Sequence, residues 1–309
     1  MPIISRQRPL PYGRAFIIPA VTLLLAAGTT NIGCNHPGSL SDREMEKLQD
    51  RVARLETIAG RAEAVRAVKR LQRAYGHYAE FGLWEDLAGL FAERGVATFP
   101  PGTLGKDEIL EYFRENPGGG KMGLPDGVLH SLMMIQPVVT LAPDGRTARG
   151  RWRLYSMLGV HGKSAEWKGG VFDNEYVLES GVWKIGNLNF YPQYGGSYDQ
   201  AGWNVAQGLI PIHYTPELAG RPIPEDNGLA PAPGPGSDPK ALGKRLHSLL
   251  ARAQRLNDEN DVRNLQNIYG YYIDRKMWDD AADLFAADGT LEEGLSGVYA
   301  GRKSIRRAL

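Results

Sequence analysis

The chain has one cysteine, Cys34, among its 309 residues, so an intramolecular disulfide and any multi-cysteine zinc site are excluded. Its six histidines are scattered and form no H-x-x-x-H pair, so no recognisable metal motif remains. Neither sign of charge dominates. Thirty-six Lys and Arg stand against 35 Asp and Glu, a net charge of +1, which gives no basis for a polyanion-binding face. Nucleic acid is therefore not an expected partner. Long apolar runs are also missing, the longest being "AFIIPAVTLLLAAG" at 15–28. As a helix it would rise about 21 Å, short for a bilayer.

That run sits where it carries information. Arg6, Arg8 and Arg14 precede it with no acid among them, and "TTNIGCN" follows. Charge, apolar run and small residues in this order are expected of an export signal over 1–34. Gly33-Cys34 is similar to the end of a bacterial lipobox, although Asn31 stands where that pattern has Leu. The expected location is periplasmic, either free or anchored by a lipid on Cys34.

What the sequence does have is a repeat. "LQRAYGHYAEFGLWEDLAGLF" at 71–91 returns as "LQNIYGYYIDRKMWDDAADLF" at 265–285, 194 positions later. Leu71, Gln72, Tyr75, Gly76, Tyr78, Trp84, Asp86, Ala88, Leu90 and Phe91 are identical to their partners. A heptad-like seam precedes each copy. Leu48, Val52, Leu55, Ala59 and Ala62 stand at the same offset from Leu242, Leu246, Leu249, Ala253 and Leu256. Ser41-x-x-Glu44 reads as a capping box opening the first seam, and Asp238-Pro239 as the start of the second. Such a seam serves either to pack the helix on its own domain or to form a homo-oligomer.

The repeat sets the organisation. After the seam, the first copy predicts a helix through Tyr75, a short helix over 84–92 and another over 106–115. Strands follow over 130–141, 147–160, 165–179 and 182–191. This is an α+β order. From Pro192 to Pro239 the chain is rich in Pro and Gly and reads as a wrapping segment and linker. We therefore expect a domain at 41–203, a linker at 204–237 and the start of a second domain at 238–309. The second copy aligns as far as Ile305, the counterpart of Ile109, without the strands. That is the expectation for part of a longer protein.

Tyr75-x4-Glu80, Trp84-x-Asp86, Leu90-Phe91 and the later "GGVFDNEYVLESGVWKIGNLNFY" (169–191) together resemble the SnoaL-like branch of the nuclear transport factor 2-like superfamily. The resemblance implies a cone-shaped roll, in which a bent antiparallel sheet packs on three helices, here preceded by the extra heptad helix. It also implies a pocket at the open end for a small, apolar ligand, often cyclic. Among dehydratase-like members, carry-over by position gives Tyr75, Glu80, His130 and Asp173 as the catalytic set, with no metal and no cofactor. Tyr78, Trp84, Trp152 and Asn174 would line the ligand site. A histidine oriented by a carboxylate can remove a proton beside a carbonyl while a tyrosine assists the leaving group. Each residue also has a structural explanation, as core, cap or wall. The implied function is thus either cofactor-free dehydratase or isomerase chemistry, or non-catalytic ligand binding.

Overall fold

The computed structural model describes residues 41–99, 102–199, 204–205, 212–220, 239–294 and 296–309. The export segment with Cys34, Asp238, and most of the linker lie outside them.

Helix α1 (Asp42–Phe81) is one continuous rod of 40 residues, about 60 Å long, so the seam and the Tyr75 stretch share a single axis. Asp42 and Glu44 occupy its first turn, where the helix dipole favours acids. The Glu44 carboxylate accepts from the Ser41 N–H at 2.9 Å, the return arm of the expected box. Gly60 does not interrupt the rod. A left-handed Gly82 turns the chain into α2 (Trp84–Gly89). This helix ends earlier than the sequence suggests. Phe91 opens strand β1 (Phe91–Phe99), which pairs with β2 (Gly102–Gly105) before α3 (Lys106–Glu115).

Four long strands follow: β3 (Val128–Leu141), β4 (Thr147–Val160), β5 (Ser164–Glu179) and β6 (Val182–Ser197). The sheet order is β2-β1-β6-β5-β4-β3, with a short β7 (Asn204–Val205) added to β6. One pairing departs from the antiparallel expectation. β1 runs parallel to β6, since helix α3 and the long meander separate them in sequence. Strand β6 also runs six residues past the expected 191, so the first part of the supposed linker is sheet.

Alternation decides which side chains meet the helices. Trp152 and Leu154 on β4, Phe172 and Tyr176 on β5, and Leu188 on β6 join Val68, Leu71, Tyr75, Trp84, Ile109 and Phe113 in one core. Full burial of each such side chain is worth about 1.5–3 kcal/mol. Tyr75 sits at the centre, edge-on to Phe91, Phe113 and Phe172.

The second copy repeats the helical part. α4 (Pro216–Ala219) is followed by α5 (Pro239–Asp274), α6 (Trp278–Asp283), the hairpin β8 (Thr290–Glu293) and β9 (Gly297–Ala300), and α7 (Arg302–Ala308). Helix α5 lies along α1. Glu56 takes Arg245 in two hydrogen bonds of 2.7 and 3.1 Å, and Glu63 takes Arg252 at 2.7 and 3.0 Å. Both partners advance by seven residues in the same direction, so the helices run parallel in heptad register. One turn on, Arg66 reaches Leu256 O, Glu259 and Asn260 Oδ1. Val52, Ala59, Leu242 and Leu249 are buried along the same seam. The seam that could have served an oligomer is filled from within the chain, by one repeat against the other.

Candidate functional site

The sheet sorts the expected site residues onto two faces. The register pairs His130 with Leu158, Leu132 with Ser156 and Met134 with Leu154, all on the helix side. His130 Nδ1 lies 2.8 Å from the carbonyl of Ala79, near the end of α1. Helix ends leave carbonyls without an intrahelical donor, and this imidazole supplies one. A carbonyl only accepts, so Nδ1 carries the hydrogen and Nε2 holds the lone pair. Burial pushes the His130 pKa below its ordinary value, against the Ala79 hydrogen bond and the nearby Glu80 charge, which pull it up. The Trp84 ring stands edge-on to it at 6.4 Å.

Tyr75 is within the aromatic core, and burial drives its phenol pKa well above the ordinary range. It is a core residue, three-sided by rings. Glu80 lies 4.0 Å from His77 Nδ1 at the helix surface and reaches His130 only through its field. Tyr78 is half-buried and packs on the edge of the core. Trp84 is fully buried, stacked on Phe113, and donates to Lys121 O at 3.2 Å. Trp152 is fully buried too and donates to the Tyr176 hydroxyl at 2.9 Å.

Asn174 is a structural link. Its amide donates to Gln72 Oε1 at 3.0 Å, its oxygen accepts from Asn189 N–H, and Tyr176 OH donates to the same Gln72 oxygen at 2.7 Å. This buried network ties α1 to β5 and β6. Asp173, one residue earlier, necessarily faces the opposite side of the sheet. There it accepts from Arg149 and meets His213. The expected pairing of His130 with a carboxylate is therefore corrected: alternation along β5 takes Asp173 away, and a helix carbonyl orients His130 instead.

A groove of about 650 Å³ opens where β3, β4 and β5 end, and His130 is not among the residues that line it. Leu158, the cross-strand partner of His130, lines it from the helix side, while alternation brings Leu129 to it from the opposite face. Met157, Val160 and Trp167 complete an apolar wall, and Tyr198 stacks on Trp167 with centroids 5.8 Å apart and planes 13° from parallel. Glu166 and His161 are the titratable groups on its border. Sequence reading missed Tyr198 as a groove residue, because 192–203 reads as a segment that wraps the domain and not as a strand. Its alternation in phase with β5 was the available signal.

Helices packed on one face of a curved sheet, with a groove at the strand ends, match one family description. The profile of the SnoaL-like domain family fits residues 60–189 and 254–309, over half of the chain and both copies of the repeat. The chain belongs to the SnoaL-like family. The second match covers the latter part of α5, α6, the β8–β9 hairpin and α7. Among solved structures, the chain is similar to a type 2 hexachlorocyclohexane dehydrochlorinase at 17% identity, covering 51% of this chain and 96% of that one with a TM-score of 0.39. The type 3 enzyme from Novosphingobium barchaimii matches at 16%, covering 50% and 98%, TM-score 0.40. Aln2 from a Streptomyces species matches at 16%, covering 42% and 90%, TM-score 0.36. At such scores the family assignment rests on the profile, and no residue role is taken from these structures. No curated protein matches the chain in sequence.

Proposed function

We propose that this SnoaL-like chain is exported and that its first repeat binds a small, apolar, cyclic molecule in the groove bordered by Trp167, Tyr198 and Leu158, without transforming it. The observation that carries this reading is the near-parallel stack of Tyr198 on Trp167 in a predominantly apolar groove that His130, tied to a helix carbonyl, does not line. Catalytic base strength comes from a carboxylate partner, and here the partner is a peptide group. The ring pair offers a flat aromatic slot, whose stacking adds about 0.5–1.5 kcal/mol per contact beyond burial.

Calorimetry with 2-naphthol as the probe tests the reading. Saturable binding is expected, weakened about tenfold in Trp167→Ala. No saturable heat, or an unchanged affinity in that variant, would overturn it. A second reading is kept by the fixed tautomer, which leaves Nε2 able to accept a proton from a bound carbonyl compound, in dehydratase or isomerase chemistry. Deuterium exchange beside the carbonyl of 2-tetralone, abolished in His130→Gln, would favour that alternative. Export rests on the order of charges and apolar residues over 1–34. Mass spectrometry of the protein from its host should find it cleaved, with or without a lipid on Cys34, and an intact Met1 on a cytoplasmic species refutes it.

A further inference from the structure

A second polar centre lies on the face of the sheet turned away from the helices. Asn174 and Tyr176 point toward Gln72 on α1, so Asp173 and Glu175 point the other way. Residues 212–215 lay His213 over this face. Its Nδ1 stands 2.8 Å from Asp173 Oδ1, and both side chains are buried. Arg149 Nη2 donates to the other Asp173 oxygen at 3.2 Å and its Nε lies 3.9 Å from Glu175. An ionised carboxylate held by Arg149 only accepts, so His213 Nδ1 bears the hydrogen, and in the neutral imidazole Nε2 presents a lone pair. That Nε2 is buried and has no hydrogen-bond partner among the described residues. Such an atom is costly to bury unless something donates to it. The same residue lines a cavity of about 350 Å³, together with Thr140, Thr147, Arg149, Glu175 and Val177.

The volume is that of a small-molecule site. The charges around it choose the class of molecule. Arg149 and Arg151, the cross-strand partner of Asp173, face Asp173 and Glu175, which leaves the surroundings without net charge while His213 is neutral, and an anionic ligand meets the Glu175 carboxylate. An ammonium group meets the Arg149 guanidinium. A neutral ligand with several hydroxyls suffers neither penalty. It can donate to Nε2 and to Glu175, and it can accept from Arg149, from Thr140, and from Thr147 in place of that hydroxyl's 3.5 Å contact with Asp144. We propose that the cavity over Asp173 and His213 binds a small, neutral, polyhydroxylated molecule of about monosaccharide size, with one hydroxyl donating to His213 Nε2. Asp173 sets the polarity of the site by fixing which ring nitrogen carries the hydrogen. The site lies apart from the apolar groove and depends on neither reading of it.

Nitrogen NMR on the full chain with labelled histidine tests the proposal, the His213 signal being assigned by its loss in His213→Gln. Glucose is the probe, with lactate and ethanolamine as charged comparisons. In the free protein at neutral pH, Nε2 should report an unprotonated nitrogen. Glucose should then shift it saturably, and the charged probes should not at equal concentration. Replacing His213 could loosen residues 212–215, so Thr147→Val, which removes one hydroxyl, is the deciding variant. It should weaken the glucose response about tenfold. A protonated Nε2, no saturable response to glucose, an equal response to all three probes, or an unaltered response in Thr147→Val would each overturn the proposal.

Discussion

Residues 68–91 and 262–285 are two copies of one helix-turn-helix, and the backbone treats them alike. Leu83 and Met277 precede the short helices with nearly equal angles, φ −84° and ψ 67° against φ −88° and ψ 64°. Their surroundings are opposite. Val68 is 0% exposed and Val262 67%, Leu71 9% and Leu265 45%, Trp84 0% and Trp278 37%. The same local sequence thus gives the same helices in both surroundings. What differs is the cover, since the long strands β3–β6 lie over the first copy. A residue's identity sets the face it belongs to, while burial depends on what packs there. The same contrast appears at single glycines. A Cβ on Gly76 would stand 3.3 Å from the Leu132 carbonyl, whereas its identical partner Gly270 has nothing within 4 Å.

The largest break in this comparison should come from the tryptophans. Trp84→Ala should cost about 3–5 kcal/mol in denaturant melts, and Trp278→Ala under about 1 kcal/mol. Equal losses would mean that the second copy is covered after all. Next is the turn. Gly82 has φ +68° and a Cβ there would lie 2.5 Å from the Gly123 carbonyl carbon, while its counterpart Lys276 holds φ +55°. Gly82→Ala should therefore cost about 2–3 kcal/mol, from strain and collision together. Lys276→Gly should be neutral or stabilising by up to about 1 kcal/mol, because a left-handed non-glycine residue is relieved.

Smaller effects sharpen the link between the copies. Reversing Glu56 and Glu63 to lysine should cost about 1 kcal/mol, and reversing Arg245 and Arg252 to glutamate in the same chain should return most of it. The hydrogen bonds from Arg245 and Arg252 hold these two carboxyls below their ordinary 4.5. A depressed folded pKa means stability that is complete above the unfolded value and lost as pH falls through the folded one. His130 is depressed as well, by burial, so its share declines as pH drops below its ordinary 6.5 and levels off at the folded value. His130→Gln should remove the near-neutral slope alone and leave the neutral-pH melt almost unchanged. The acidic slope should shrink on replacing Glu56 and Glu63 without vanishing, because Asp144, Asp199 and Glu217 are also held below their ordinary values by hydrogen bonds.

Much of this fold was legible. The heptad offset gave both long helices, and the alternating runs gave four strands to within a few residues, except that β6 continued to Ser197. The short helix was overextended, because Leu90 and Phe91 suit a helix face and a strand equally well. The site was harder to read. Parity along β5 separates Asp173 from Asn174, and a family pattern read as an Asp/Asn pair does not say which one faces the helices. His213 carried no signal at all. It lies 40 residues from Asp173 in a segment of turn-like composition, and only tertiary structure brings the two within 2.8 Å.

The claim that, among the described residues, one copy forms a site and the other leaves its helix face exposed is tested most directly by hydrogen exchange on this chain, with and without 2-naphthol. Without the probe, amides of 68–81 should exchange near the rate of global unfolding, and those of 262–275 far faster. Adding the probe should slow 157–167 and leave 262–285 untouched. Equal protection of the two helices, or slowing spread over 262–285, would contradict the account.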